Sequence, residues 1–241
     1  MGTLLDAGLP APARGVLTTR RGGVSLPPWD SLNLAVHVDD AFAKVQENRA
    51  RLVAELGVEG LAFGKQVHGA GVRVVRSLSK KTSRGLDDTD GLVTTVPGIA
   101  LVMMGADCLP VLLAGDGVVG AAHVGRGGLV KGVLAEVVRV MRAEGATEVT
   151  AVIGPGICGG CYEVPPSMAG EVEKAVPGTR CETRAGTTGL DLRAGATAQL
   201  AALGVASTAV GGCTLEQPEL FFSYRRDGVT GRHGGAVWLP A

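Results

Sequence analysis

The sequence predicts an α+β fold with antiparallel or mixed sheets, and three observations carry that expectation. Short apolar runs bounded by Gly, Asp or Pro recur at residues 72–75, 100–104, 110–113, 118–122, 149–153, 207–210 and 235–239, as buried strands do. Helical periodicity is confined to three stretches. Several strands therefore follow one another before the next helix, which departs from the βαβ alternation of a parallel sheet.

The helices read as follows. Residues 39–57 open on acidic cap candidates, place Phe42, Val45, Leu52, Val53 and Leu56 at helical spacings, and end at Gly57. In residues 129–145, Leu129, Val133, Val137 and Met141 recur every fourth position beside Val130, Leu134 and Val138, until Gly145 stops the run. Residues 191–203, opened by Asp191 and closed by Gly204, form the third. The polar tract 77–90 reads as one surface loop, too short for a linker, so residues 1–241 are expected to form a single domain. No internal repeat, dinucleotide fingerprint or P-loop is found.

Lys plus Arg and Asp plus Glu both number 23, which gives no electrostatic footprint for nucleic acid or an anionic membrane. No apolar run approaches a membrane span, and residues 1–14 lack a secretory pattern, so a cytoplasmic location is expected. Five cysteines, an odd number without framework spacing, read as reduced thiols. Abundant glycine and scarce aromatics suit loops shaped around a ligand.

With four histidines in the chain, any metal or acid–base site draws on a small pool. His68 lies just before an apolar run, and His123 ends another, ahead of Gly125, Gly127 and Gly128. Cys108 interrupts two apolar runs beside Asp107. Two imidazoles and one thiolate match zinc's taste for nitrogen and sulfur, with a fourth position open for catalysis; the same residues also suit a packed thiol and hydrogen-bonded imidazoles. Cys158 and Cys161 form a C-x-x-C pair that suits a redox or metal pair, but without a partner pair it reads first as part of a glycine-rich loop. Phe221, Phe222, Tyr224, Arg225, Arg226 and Asp227 read equally as an anion or nucleotide subsite and as a salt-bridged hairpin. The segments holding Arg20 and Asn33 are polar loops that either line a site or turn the chain.

Taken together, TTRRGGVS, SLNLAVHVDD, ENR, KQVHG, DTDGLVT, ADCLPVLL, AAHVG, GPGICGGCYEV, LDL and FFSYRRDGVTGR, running in that order over residues 18–234, resemble the laccase-domain family, also described as purine nucleoside phosphorylases and peptidoglycan editing factors. The resemblance implies a layered α/β/β/α domain of the cysteine-hydrolase type and a zinc site at His68, Cys108 and His123, with copper as an alternative occupant. It implies phosphorolysis of adenosine, inosine and methylthioadenosine, together with deamination of adenosine by zinc-activated water. A purine nucleoside and phosphate are then the partners, in a monomer or small homo-oligomer. Cys108, His123 and Asp107 are the expected catalytic residues, and Arg20, Asn33, Arg225 and Arg226 the expected substrate-binding residues.

The family usually reads His-Ala-Gly-Trp-Arg-Gly where this chain reads His123-Val124-Gly125-Arg126-Gly127-Gly128, so either Arg126 supplies the guanidinium one position early or the subsite is altered. Two other enzymatic readings remain: a copper polyphenol oxidase, against which four histidines and no His-x-His pair weigh, and a cysteine hydrolase acting on peptidoglycan precursors with Cys108 as nucleophile and His123 as base. A non-enzymatic reading closes the zinc with Cys158 or Cys161 as fourth ligand.

Overall fold

The computed structural model describes residues 4–241. The strands are β1 (Leu4–Asp6), β2 (Arg14–Thr18), β3 (Gly60–Phe63), β4 (Val72–Val74), β5 (Gly91–Thr94), β6 (Ile99–Gly105), β7 (Leu109–Gly115), β8 (Val118–Val124), β9 (Val149–Ile153), β10 (Arg180–Glu182), β11 (Thr188–Leu190), β12 (Ala206–Ala209) and β13 (His233–Trp238). The helices are α1 (Phe42–Leu56), α2 (Lys80–Arg84), α3 (Arg126–Lys131), α4 (Val133–Ala143), α5 (Pro166–Ala175), α6 (Leu192–Ala202) and α7 (Tyr224–Asp227).

Two larger sheets are built, both mixed: β1-β2-β13-β6-β3 and β12-β9-β7-β8-β5-β4. Strand alternation sends neighbouring residues of one strand to different apolar seams. Leu109, Val111 and Leu113 of β7 pack with Leu129, Val137, Met141 and Leu200 from the helices. Leu112 and Ala114 of the same strand pack with Leu17, Leu101, Met103 and Val237 of the other sheet. Ala100, Val102 and Met104 of β6 turn to a third seam with Leu34, Leu52, Phe63 and Trp238. Because both faces of β6, β7 and β8 are covered, their sequences read as continuous apolar runs rather than alternating ones.

All seven strands expected from sequence are present within two residues at either end. The helices needed three corrections. Residues 39–57 start helically only at Phe42, because Asp40 is drawn away as acceptor for Ser25 and Asn33. The 129–145 run is two helices, since Gly132 adopts φ +79° between α3 and α4. The 77–90 tract is not all loop: Ser79 and Thr82 form a reciprocal capping box that starts α2. The short strands β3 and β5 carry too few residues for a periodicity signal, and α5 was masked by its prolines.

Helix α4 lies so close to β5 that a Cβ on Gly91 would stand 2.5 Å from Val137 Cγ2 and 2.7 Å from Val72 Cγ2. Gly91→Val is expected to cost about 1–3 kcal/mol by overpacking. A lowered urea midpoint with unchanged slope would show it; an unaltered midpoint would mean the helix sits further off the sheet.

Candidate metal centre

Strand pairing brings the site together. In the β5–β8 ladder Gly91 faces Ala122, so Asp90 and His123 are adjacent at its end, and His123 N–H donates to Asp90 O at 2.8 Å. Across the β7–β8 ladder Pro110 faces His123, which places the β6–β7 turn and its Cys108 on the same rim. His68 arrives on the loop after β3. Gln66 pins that loop, donating from Nε2 to Met104 O and accepting from Met104 N–H.

Asp90 finishes the arrangement. Its fully buried carboxylate accepts N–H bonds from Val67, His68 and Gly69 at 2.8–3.1 Å, and its Oδ1 lies 2.8 Å from His123 Nδ1. Three converging amides hold His68 at φ +56°, a left-handed conformation uncommon for a side chain larger than glycine. Burial pushes the Asp90 carboxyl up, but the hydrogen bonds from His123, Gly69 and Val67 outweigh it and hold it below the ordinary range.

His68, Cys108 and His123 therefore meet with their ligand atoms within 4.8 Å of one another. Cys108 Sγ lies 3.6 Å from His68 Nε2, and the two imidazoles stand edge to face at 4.8 Å between ring centroids. His123 is buried, Cys108 half-buried and His68 exposed, so the cluster opens to solvent on the His68 side.

Three features fit a metal ion here. The donor set is nitrogen and sulfur, which zinc prefers. The Asp90 contact on Nδ1 leaves His123 Nε2 for the ligand side, the carboxylate–histidine pairing common behind zinc. A Cβ on Gly125 would lie 2.7 Å from His68 Cδ2 and 2.8 Å from Cys108 Sγ, so only glycine keeps the space clear.

Without a metal, the same groups form a charge pair. Burial pushes the Cys108 thiol up, but the charge of His123 and hydrogen bonds from His123 and His68 overcome it and bring it to about 6. Burial pushes His123 down, yet the Cys108 thiolate and Asp90 outweigh it and raise it to about 9. Cys161 is the opposite case: burial and its thiol neighbours raise it to about 12.

The other expected residues are placed differently. Asp107, at φ +97°, spends Oδ1 on the Thr214 hydroxyl and Oδ2 on Arg225 N–H, so it braces the turn beside Cys108. Arg226 donates to the carbonyls of Thr214, Leu215 and Phe221 and to Asp227. Arg20 donates to the carbonyls of Asp30 and Pro218 and to the Asp30 carboxylate. Asn33 is fully buried and bonded to Ala35, Asp40 and Arg232. Arg226 and Asn33 spend their side-chain donors on holding loops together, and Arg20 is anchored to Asp30 and Pro218 with three of its five N–H groups. Arg225 makes one side-chain bond, to Glu163 O, and stacks over Tyr162 at 5.0 Å, on the rim of a cleft of about 430 Å³ that also includes Glu163, Pro165 and Thr188. The larger cleft of about 500 Å³, lined by Gly22, Leu32, Arg51 and Glu55, shares no residue with the metal cluster.

Two further cationic residues, Arg126 and Arg232, have fewer ties. Arg126 is half-buried next to Gly125 and makes no hydrogen bond or ion pair with the described residues. Arg232 is half-buried, with its charge favoured by Cys108, Asp107 and Tyr224, and its guanidinium donates through Nη1 to the carbonyls of Thr230 and Gly231. Its only sequence signal was its place at the end of FFSYRRDGVTGR. Asp90 was likewise visible only inside DTDGLVT. Cys158 and Cys161, read as plain loop, stand with Cys213 and Glu216 in a second group, separate from His68, Cys108 and His123, so neither supplies a fourth ligand there.

Fold and site together define a mixed α/β protein with a candidate His–Cys–His metal-binding cluster. Residues 14–240 match the family described as multi-copper polyphenol oxidoreductase laccase, and the chain belongs to that laccase-domain family. A purine nucleoside phosphorylase of Mycobacterium tuberculosis strain H37Rv is 48% identical over 94% of this chain and 92% of its own. One from Streptomyces griseus is 47% identical over 94% of each. Among solved structures, YlmD from Geobacillus stearothermophilus superposes with a TM-score of 0.89 at 32% identity, covering 99% of this chain and 97% of that one. The DUF152 protein NMB0706 of Neisseria meningitidis gives 0.88 at 33%, covering 99% and 100%.

Asp90→Asn keeps the shape but cannot serve all its donors, and it is expected to lower zinc affinity about 10–100-fold in a competition titration with a chromophoric chelator. An unchanged affinity would remove Asp90 from the site. In metal-free protein, alkylation of Cys108 by iodoacetamide, followed on its own peptide, is expected to rise with pH through a midpoint near 6. A midpoint at about 8.5, that of an ordinary thiol, would contradict the thiolate–imidazolium pair.

Proposed function

We propose that the chain is a zinc-dependent purine nucleoside phosphorylase that also deaminates adenosine and accepts methylthioadenosine, with His68, Cys108 and His123 as the metal ligands. The observation that carries the reading is the open His–Cys–His cluster, braced by Asp90, in a chain nearly half identical to proteins named purine nucleoside phosphorylase. The layering of the cysteine-hydrolase type belongs to the same proposal, supported by the three apolar seams.

Bound zinc supplies a Lewis acid at the rim of the sheet. The protein's own groups do the rest. Asp90 fixes the tautomer of His123, holding the proton at Nδ1. Asp107 holds Thr214 and the N–H of Arg225, which fixes the turn that presents Cys108. Arg126, Arg225 and Arg232 have guanidinium donors to spare among the described residues, and in this reading they take the phosphate-binding role. In phosphorolysis the held phosphate oxygen bonds to the anomeric carbon, the glycosidic C–N bond breaks, and its electron pair leaves with the purine, which takes a proton. In deamination water adds at the purine carbon bearing the amine, and ammonia departs.

A multicopper oxidase meets a structural objection as well as the count. His233 is buried between Phe221 and Phe222, with burial and the Arg232 charge pushing it down to about 3, so it is no part of the cluster. The cysteine hydrolase is favoured by one observation, the Cys108–His123 charge pair, and remains the second reading.

The test is product analysis with adenosine, inosine and methylthioadenosine, with and without phosphate. Free base and the sugar 1-phosphate (ribose 1-phosphate, or 5-methylthioribose 1-phosphate from methylthioadenosine) should form only with phosphate, and inosine should form from adenosine without it. Cys108→Ala should lower both at least about 100-fold, and Arg232→Ala should raise the phosphate KM at least about tenfold. Phosphate-independent thiol chemistry, with no turnover of nucleosides, would transfer the assignment to the cysteine hydrolase.

A further inference from the structure

Chelating residues also gather away from the His68 cluster. Cys158 and Cys161 lie on the loop after β9, and Cys213 and Glu216 on the loop after β12. The two loops repeat one spacing: Cys158-x-x-Cys161 and Cys213-x-x-Glu216. Their backbones pair where they meet, through a parallel bridge between Gly156 and Cys213 and a Thr214 N–H bond to Gly156 O at 3.1 Å. The four ligand atoms lie within 4.8 Å of one another.

We propose that Cys158, Cys161, Cys213 and Glu216 form a second metal site, which takes a divalent cation of the zinc class and closes around it as a structural clasp. Three thiolates and a carboxylate are ligands that zinc accepts, and four protein ligands leave no open position for substrate. Without a cation the crowded thiols keep their protons, as the raised Cys161 shows, but the hydrogen bonds around them suit ligating sulfur. Cys161 N–H and Tyr162 N–H both donate to Cys158 O at 2.9 Å, which curls the C-x-x-C turn so that its two sulfurs face one point. Cys158 N–H donates to Cys213 Sγ at 3.3 Å, and Arg184 Nη1 to Cys161 Sγ at 3.0 Å, hydrogen bonds of the kind that support ligating sulfur. Arg184 also ion-pairs with Glu216. The ligands bring four negative charges, the cation two positive and Arg184 one, so the assembled site carries a single negative charge at the surface. Binding releases the three thiol protons to solvent.

A disulfide would need an oxidant and would leave the third thiol and Glu216 without a purpose; all five cysteines are free. The clasp also has something to hold. Ile157, next to Cys158, donates its N–H to Asp107 O at 2.9 Å, and Thr214, next to Cys213, donates its hydroxyl to Asp107 Oδ1 at 2.6 Å. Arg226 binds the carbonyls of Thr214 and Leu215. Joining the two loops fixes both arms that grip Asp107, and so the turn carrying Cys108. Through that turn the second metal is a positioning element for the first site.

The full chain with Cys108→Ala isolates the clasp, because the first site then lacks its sulfur. Stripped under reducing conditions and titrated with cobalt(II), this variant is expected to bind one equivalent with an intense near-ultraviolet thiolate-to-cobalt band. Adding Cys213→Ser should abolish the band, with circular dichroism confirming the fold. Glu216→Gln, an exposed change, should keep the band and weaken binding at least tenfold. Elemental analysis of the unsubstituted protein, purified without chelators, should give two zinc ions per chain. No cobalt band in Cys108→Ala, a band indifferent to Cys213→Ser, or a mass two hydrogens lighter with no metal bound would each overturn the clasp. None of these readouts depends on nucleoside turnover.

Discussion

One buried carboxylate organises the candidate site. Asp90 is fully buried, and a carboxylate removed from water is costly unless several donors replace the lost hydration. Three amides of the Val67–His68–Gly69 segment and the His123 ring do so. Because they converge on two oxygen atoms, the loop and the end of β8 cannot move independently. His68 keeps its left-handed backbone and His123 its orientation for the same reason. Removing the carboxylate would therefore release strain on one side and leave unpaired amides on the other.

Cys108 is the third member of the arrangement and depends on a second carboxylate. Asp107, also at positive φ, ties the β6–β7 turn to Thr214, Arg225 and Ile157. Two consecutive functional residues are thus split in purpose: the thiol faces the histidines, while the acid faces back into the C-terminal loops. Adjacency to Cys108 in sequence says nothing about which way the Asp107 side chain is turned in a tight turn. Arg226 and Asn33 follow the same pattern. They sit in distinctive motifs because loops that lack regular backbone pairing need side chains to satisfy their carbonyls and amides.

Much of the fold was legible because the central strands are covered on both faces, so β6 to β9 stand out as apolar blocks. The ends of helices were less so. Gly132 breaks a periodic run that no apolar count would divide, and Asp40 abandons its cap for a tertiary bond. Of the site, His68, Cys108 and His123 could be named from residue chemistry and motif. Asp90 could not, because its importance depends on β5 and β8 pairing in one register. Arg232 was hidden among neighbouring arginines. The group formed by Cys158, Cys161, Cys213 and Glu216 was invisible for a further reason: its halves lie more than fifty residues apart and meet only after β9 and β12 pair in parallel.

The substitution of the usual Trp-Arg by Arg126-Gly127 takes on a physical meaning in this setting. Gly125 must remain small to keep the ligand space open, and Arg126 follows it directly, half-buried and without a hydrogen-bond or ion-pair partner among the described residues. A guanidinium so placed offers positive potential next to the cluster without the bulk of an indole. The most direct test of the whole account is a crystal of zinc-loaded protein, with anomalous difference density recorded on either side of the zinc edge. The account predicts a peak bonded to His68, Cys108 and His123 through Nε2 of His123, with Nδ1 still on Asp90 and ligand distances of about 2.0–2.3 Å. A peak bonded to His123 through Nδ1, or no peak at these three residues in a fully loaded protein, would contradict it.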